Sequence, residues 1–309
     1  MKVWPCKAAV LAALVGAGCA DEFAPYNEVV GHRVLGIRAS PPEIRPQEAA
    51  VIDALVTSES ATYAWTWCPL PLPDPSTGEC PLSEAELAAM LQAAGSDASP
   101  PPYDLGVDSR ATFEHTFEPD LLAALCQAFR DQPLPEGVPR PRCGGRYDVT
   151  VRLVASSGDE RIVAVRDLGL IYDEDYEPNA NPHIAGARLG VPYFDLTHED
   201  PVSVGTGFQY RLELDVSEEE AESYEALDDG ELVTRRESLV VTWFYEAGDM
   251  DKSRTSFLEG TTDVVNLTTN HWDAPAAAAP GGERIKLYFV LRDNRGGIDW
   301  LQADLGLVE

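Results

Sequence analysis

Basic residues are scarce in this sequence of 309 residues. It holds 23 Lys and Arg against 52 Asp and Glu, and its formal net charge at pH 7 is −29. Proteins that bind nucleic acid or a bare anionic membrane surface neutralise phosphate groups with Lys and Arg, and a chain with this charge is repelled by both. The composition therefore predicts no nucleic-acid partner.

Long hydrophobic runs are also missing. The apolar run at residues 8–15 is shorter than the roughly 20 residues that a helix needs to span a bilayer. Lys2 and Lys7 precede this run, and the small residues 16–18 follow it. A basic start, a short apolar core and a small-residue end form the pattern of a secretory signal, which predicts export and removal of residues 1–18.

Cys19 has three candidate roles, which are disulfide formation, metal binding and lipid attachment. Because it directly follows the small residues, LVGAGCAD resembles a bacterial lipobox, in which the cysteine becomes the lipidated first residue of the mature protein. Gly16 departs from that pattern, since Leu is usual three positions before the cysteine. We predict an outer-membrane or cell-surface lipoprotein of a Gram-negative bacterium, anchored in the membrane by its lipid, with residues 19–32 as a tether. A secreted or periplasmic protein is the alternative.

Catalytic signatures are missing as well. The five histidines stand apart from one another, and the sequence has no nucleophile elbow, zinc-protease helix, P-loop or dinucleotide-binding motif. The densest polar trio is His198, Glu199 and Asp200. Neighbours along a strand point to opposite faces, so these three side chains do not converge without a turn. The sequence predicts no enzyme.

The cysteines predict two disulfides. Six are present, and four remain after the signal peptide and Cys19 are set aside. An even number in an exported protein indicates disulfides, and four cysteines allow three pairings. We favour the pairs that each close one short Pro-rich segment, which are Cys68 with Cys80 and Cys126 with Cys143. Zinc is disfavoured, because no two cysteines or histidines have the close spacing of a zinc site.

Periodicity predicts β-strands in the first half of the chain. TYAWTWC places Trp65 and Trp67 on one side of a strand, and YDVTVRLVASSGDERIVAVRDLGLI contains two alternating runs around a turn. Two short helices interrupt the strands. One begins at a capping box formed by Ser83 and Glu86, and the other begins at Pro119.

The strand pattern starts over after an acidic linker at residues 173–182. RESLVVTWFYEAG corresponds to SATYAWTWC, and RIKLYFVLRDNRGGIDWLQADLGLV corresponds to the earlier hairpin. Short strands with a Trp on the third are typical of an immunoglobulin-like unit, and the long helices of α/β folds are missing. The sequence predicts an all-β protein of two tandem immunoglobulin-like β-sandwiches. The first covers residues 33–172 and carries short helical insertions, and the second covers residues 183–309.

Acidic residues cluster at two places that suit calcium. Extracytoplasmic calcium takes carboxylate and carbonyl oxygens as ligands, and joints between sandwich domains supply them. Neither cluster has the spacing of an EF-hand, and a solvated acidic surface is the alternative at both. The candidate ligands are Asp173, Asp175, Glu177 and Asn179 in the linker and Asp249 and Asp251 in a later loop.

Trp243, Phe244 and Tyr245 are consecutive, so a strand here turns at least one of these rings outward. Exposed aromatic rings on a sandwich edge stack on sugars, whereas rings between the sheets form the core. The same two roles, sugar stacking and core packing, are open to Trp272 and Trp300. We favour the core for these side chains.

The lipobox, GIRASPPEIRPQEAAVIDALV, TYAWTWCPLP and VLRDNRGGIDW together resemble a group of myxobacterial surface lipoproteins with tandem immunoglobulin- or PKD-like repeats. The resemblance covers most of the mature chain, and its motifs mark strands and turns. It implies a scaffold and a location, and that group brings no established activity. We expect a non-catalytic structural or protein-interaction module without a cofactor, whose partner is an envelope protein or a glycan. A calcium- or carbohydrate-binding adhesion module is the alternative.

Overall fold

The structure is a computed structural model, and part of the chain lies outside its description. The described residues are 24–74, 79–93, 100–131, 133–134, 136–190, 193–198, 200–228, 231–258, 260, 262–278 and 283–309. The predicted signal peptide and Cys19 therefore lie outside the described residues. Within the described ranges, every helix falls short of the length and hydrophobicity needed to cross a membrane.

The first part of the described chain consists of short strands with two helices between them. Its elements are β1 (Val34–Ser40), β2 (Glu43–Ile44), β3 (Ala49–Val56), β4 (Thr62–Cys68), α1 (Glu84–Ala93), β5 (Asp104–Gly106), β6 (Arg110–Glu114), α2 (Pro119–Asp131), β7 (Arg146–Ser157) and β8 (Glu160–Ile171). The capping box of α1 is formed, because the Ser83 amide donates to the Glu86 carboxylate at 2.8 Å and the Glu86 amide donates to Ser83 Oγ at 3.3 Å.

The second part has more strands and one short α-helix. Its elements are β9 (Gly186–Leu189), β10 (Phe194–Asp195), β11 (Val202–Gly205), β12 (Gln209–Asp215), β13 (Ser223–Asp228), β14 (Glu231–Arg236), β15 (Leu239–Tyr245), β16 (Asp249–Met250), β17 (Arg254–Phe257), α3 (Val264–Thr268), β18 (Thr269–Asp273), β19 (Glu283–Asp293) and β20 (Ile298–Val308). The strands β19 and β20 form the predicted terminal hairpin.

The first sandwich pairs a sheet of order β1-β3-β6 with a sheet of order β2-β8-β7-β4-β5. The short strand β2 runs parallel to β8, and the other pairs are antiparallel. This is the strand order of an immunoglobulin-like sandwich. Trp65 and Trp67 of β4 are fully buried between the sheets, and the Trp67 ring meets Phe113 of β6 edge-on at 5.2 Å.

The second sandwich repeats this strand order. Its sheets are β10-β9-β12-β18-β16 and β11-β20-β19-β15-β17, and β11 again runs parallel to the last strand, β20. Trp243 of β15 is fully buried and packs edge-on against Phe289 at 5.4 Å. The prediction of an all-β protein with two immunoglobulin-like sandwiches is confirmed.

The acidic run that begins at Ser217 forms regular structure where it is described. It forms a 3-10 helix over Glu218–Glu220 and the hairpin of β13 and β14. In this hairpin Arg235 lies opposite Tyr224, and the Arg236 guanidinium donates to the Ala221 carbonyl at 3.0 Å. The Arg236 guanidinium also pairs with the Glu218 carboxylate at 2.6 Å, which ties the hairpin to the 3-10 helix.

The two sandwiches pack side by side through a third hydrophobic core. The strands β1 and β3 of the first sandwich face the outer side of β15, β19 and β20 in the second. The core residues are Val29, Leu35, Leu55, Phe244, Tyr288, Val290 and Ile298, with Trp300 packed at the edge. A joint with its own apolar core holds two domains in one orientation better than a polar contact does.

The consecutive aromatics of β15 are all buried. Trp243 and Tyr245 belong to the core of the second sandwich, and Phe244 points out of it into the third core. Trp272 is also fully buried, and Trp300 lies beneath the Arg38 guanidinium at 4.3 Å. These rings are therefore structural.

Residues 24–32, predicted as part of a tether, are packed against the second sandwich. The Val29 amide donates to the Tyr245 carbonyl at 2.8 Å, and the Tyr245 amide donates to the Asn27 carbonyl at 3.1 Å. Asn27, Val29 and His32 are buried. The strand β17 pairs with β15 only at Leu239–Thr242, so the last residues of β15 leave backbone groups that this segment satisfies. It is a packed strap rather than a free tether, and we call residues 24–32 the N-terminal strap.

Candidate functional site

A buried carboxylate, Glu43 on β2, lies where the two sandwiches meet. It is 3% exposed and forms ion pairs with Arg146 of the first sandwich and Arg295 of the second. The Asn179 amide donates to it at 2.7 Å, and the Tyr176 hydroxyl donates at 3.2 Å. A buried charge is tolerated only with such partners, so Glu43 fixes both sandwiches and the linker in one arrangement.

The linker itself bonds to both sandwiches. The Asn181 amide group donates to the Ala39 carbonyl at 2.7 Å, and its carbonyl accepts from the Ile298 amide at 2.9 Å. Nearby, the Arg38 guanidinium binds Asp53 within its own sandwich and Asp299 across the joint. The predicted acidic linker is thus part of a rigid joint.

A cleft of about 290 Å³ opens at this joint, and its arginines are already engaged. Arg166 donates to the Ile37 and Gly296 carbonyls, and burial lowers its pKa to about 10. Arg295 donates to the Glu177 carbonyl at 2.9 Å and pairs with Glu237 at 3.4 Å. These guanidinium groups hold the sandwiches together, and we assign the cleft a structural role.

The calcium candidates of the linker take part in different local contacts. Asp173 is exposed and accepts the Asp175 amide at 3.0 Å, which closes a local turn. The Glu177 side chain is exposed, whereas Asn179 is buried and donates to Asp293 at 3.1 Å. The linker residues therefore serve turns and the joint.

The second pair of calcium candidates lies at the other end of β15. Asp249 is exposed, and its carboxylate accepts a hydrogen bond from the backbone amide of Met250 at 2.8 Å. Asp251 is exposed, and its amide donates to the His271 carbonyl at 3.0 Å. Within the described ranges, no three His, Cys, Asp or Glu side chains are placed to hold a metal ion. Calcium binding stays a prediction.

Both disulfides that the sequence favours are present, and each ties a helical insertion to the first sandwich. Cys68 at the end of β4 bonds to Cys80, with a Cα–Cα distance of 5.4 Å. Cys126 of α2 bonds to Cys143, just before β7, with a Cα–Cα distance of 5.8 Å. These bridges fit an oxidising compartment.

A more accessible cleft, of about 470 Å³, lies on the outer face of the sheet β9-β12-β18 in the second sandwich. Leu212 of β12 points into the core, so Arg211 points outward, and its register partner on β18 is His271. Gln209 and Gly190 complete this polar floor. We call this feature the aromatic cleft, after the rings that border it.

Phe194 and Phe208 border the floor and are 46% and 64% exposed. The Phe208 ring lies against Gly205, where a Cβ atom would come within 3.1 Å of two ring carbons. It also meets the Tyr210 ring edge-on at 6.5 Å. Tyr210 is held in turn, because its hydroxyl accepts the Gly205 amide at 2.8 Å. The Phe208 ring is thus supported before any ligand arrives.

Sequence reasoning missed the aromatic cleft. Its signal is the run Gly205, Thr206, Gly207, Phe208, in which a large ring directly follows a glycine turn at the start of a strand. Such a position lies at a sheet end, where neighbouring strands leave it uncovered. Phe194 has the same exposure because it belongs to a two-residue edge strand, β10.

Comparison with known proteins adds no family. No family model matches the chain, and a search of curated proteins found no match. Solved structures that align with it include murine CEACAM1b, at 10% identity and a TM-score of 0.21 over 89% of this chain and 100% of that one. A three-domain immunoglobulin segment of titin aligns at 11% identity and 0.21, over 88% and 65%. The C-terminal domain of the Streptococcus agalactiae AgI/II polypeptide BspA aligns at 8% and 0.24, over 89% and 99%. These scores carry no argument, and the fold assignment rests on the strand order.

Proposed function

We propose that this protein is a non-catalytic interaction module of the cell envelope, held at the membrane by a lipid on Cys19. The observation that carries the proposal is the aromatic cleft, which exposes two phenylalanines on a rigid sheet. Solvent-exposed apolar groups that are supported from behind mark a contact surface. The joint around Glu43 supports the proposal, because a fixed pair of sandwiches presents such a surface in one orientation.

The contact surface is tested by binding to isolated cell envelopes. Fluorescently labelled Cys19→Ser protein, which lacks the lipid, is titrated onto envelopes of the parent cells. We expect saturable binding that Phe208→Ala weakens and Val107→Ala leaves unchanged, since Val107 is 71% exposed on the first sandwich, outside the cleft. Equal binding by the two variants would remove the aromatic cleft from the proposal.

The anchor is tested separately by cell fractionation and intact mass. We expect the parent protein in the membrane fraction with a diacylglycerol-modified Cys19, and the Cys19→Ser protein in the soluble fraction. An unmodified N-terminus in the parent would replace the lipoprotein with a freely secreted or periplasmic protein.

A further inference from the structure

The aromatic cleft joins a polar floor with apolar borders. Its floor carries the planar polar groups of Gln209, Arg211 and His271, and its borders carry the rings of Phe194 and Phe208. The polar groups stand on paired strands, where Arg211 lies opposite His271, and the Arg211 carbonyl accepts the Gly190 amide at 2.8 Å. A ligand that fits must present both apolar faces and hydrogen-bonding groups.

The dimensions favour a small ligand over a folded protein. A volume of about 470 Å³ lies within the range of small-ligand sites, about 300 to 1,000 Å³. A standard protein interface needs roughly 800 Å² and 20 to 30 residues on each side. Among the described residues seven border the cleft, so it is too small to be a protein interface alone.

The chemistry of the cleft fits a carbohydrate. A pyranose ring has an apolar face of C–H groups, which packs on the face of an aromatic ring, and a rim of hydroxyl groups. Arg211 donates hydrogen bonds, and Gln209 and His271 both donate and accept them, which matches hydroxyl groups. The ring of Phe208 is fixed by Gly205 and Tyr210, so little conformational entropy is lost on binding.

We propose that the aromatic cleft binds a glycan, with one sugar ring stacked on Phe208 and its hydroxyl groups bonded to Arg211 and His271. This inference rests on the proposed function and names the ligand class of the same surface. It also fits the net charge of −29, which repels acidic proteins and leaves neutral sugars unaffected.

The test repeats the envelope titration after selective chemical treatment. Periodate cleaves vicinal diols of sugars, whereas proteinase K removes exposed proteins. We expect periodate treatment of the envelopes to abolish the binding of Cys19→Ser protein and proteinase K to leave it. If proteinase K abolishes binding and periodate leaves it, the glycan is overturned while the interaction module stands. If no Phe208-dependent binding occurs on untreated envelopes, the proposed function fails as well.

A second measurement locates the site. Polysaccharide extracted from the same envelopes is placed in native gels, and the retardation of each variant is compared. We expect Phe208→Ala to raise the apparent Kd by about tenfold or more, which corresponds to about 1.4 kcal/mol or more and is typical of truncating an anchoring aromatic. Gly205→Ala, whose Cβ displaces the Phe208 ring, weakens binding less, and Val107→Ala leaves it unchanged. Equal retardation of all four proteins would overturn the site.

Discussion

Glu237 is a buried carboxylate whose charge opposes folding. Its side chain is 1% exposed, and burial raises its pKa from 4.5 to about 7. The nearby charge of Asp293 adds to this shift, and Arg295, 3.4 Å away, offsets only part of it. Between pH 4.5 and 7 the folded protein holds a proton at Glu237 that the unfolded chain has lost. The stability that this proton gives is complete below pH 4.5 and is lost as the pH rises through 7.

We therefore expect Glu237→Gln to flatten the decline of stability between pH 5 and pH 8. Urea unfolding at several pH values measures this, because the difference between the parent and the variant isolates the group. Glu225→Gln, which removes an exposed carboxylate from the same sandwich, is the matched control. Parallel curves for the parent and Glu237→Gln would show that Glu237 stays ionised throughout this range.

Phe244 shows how a single side chain joins the two sandwiches. It is 2% exposed, yet it points out of the second sandwich into the third core. We expect Phe244→Ala to lower the free energy of unfolding by about 3 to 5 kcal/mol, as for phenylalanines in a domain core. Phe208→Ala is the control, since it removes an equal ring that is 64% exposed and is expected to change stability by less than about 0.5 kcal/mol. Equal urea midpoints for both variants would contradict this.

Phe244 also shows what sequence periodicity predicts about a side chain and what it does not. Alternation along β15 correctly predicts that Phe244 leaves the core that holds Trp243 and Tyr245. Periodicity describes one sheet at a time, so it does not specify which residues cover such a ring. The residues that cover Phe244 include Leu35 and Leu55, about 200 residues earlier in the chain. No local sequence pattern specifies that contact.

The N-terminal strap extends the same joint. Its backbone pairs with Tyr245, the Asn27 amide group donates to the Trp243 carbonyl at 3.0 Å, and Val29 enters the third core. We compare chains that begin at Ala24 and at Arg33. Loss of the strap exposes the part of the third core that Val29 covers and removes the hydrogen bonds of the Tyr245 backbone. We therefore expect the shorter chain to be less stable by about 3 kcal/mol.

Hydrogen exchange locates this effect. The Tyr245 amide donates to the Asn27 carbonyl, so its exchange should accelerate in the chain that begins at Arg33. The Phe289 amide, on the neighbouring strand β19 within the sheet, is the internal reference. Slow exchange at Tyr245 in both chains would show that the strap does not stabilise the hydrogen bonds at the end of β15.

Elements with a local cause were predictable from the sequence. The capping box of Ser83 and Glu86 begins α1, and the alternation of β7 and β8 gives their hairpin. The strap was not predictable, because residues 24–32 lack periodicity and pair with β15 through a single bridge between Glu28 and Tyr245. The hairpin of β13 and β14 is also hard to recognise in the sequence, since its acidic residues obscure the alternation of its strands.

The arrangement of the whole molecule depends on contacts that are remote in sequence. The repeat of Trp-bearing strands and terminal hairpins predicted two sandwiches and their order. It did not predict that they lie side by side, because Arg38 and Asp299 meet across 261 residues and Asn181 bonds to both Ala39 and Ile298. The aromatic cleft was missed for the same reason, since it is defined by which face of a sheet stays uncovered.

This joint predicts that the two sandwiches unfold together. Ile298 lies in the third core, at 3% exposure, and its methyl group would come within 2.9 Å of a Cβ atom at Gly36. Ile298→Asp places an unpaired charge in the joint while leaving the cores of both sandwiches intact, and it costs several kcal/mol. We expect one calorimetric transition for the parent protein and two for Ile298→Asp, because the sandwiches then melt independently.

Val107→Asp, which introduces the same charge at an exposed position, should keep one transition. Gly36→Ala offers a milder change at the same contact and should broaden the transition without loss of folding. A single sharp transition in both joint variants would mean that the hydrogen bonds of Glu43 and Asn181 couple the sandwiches without the third core.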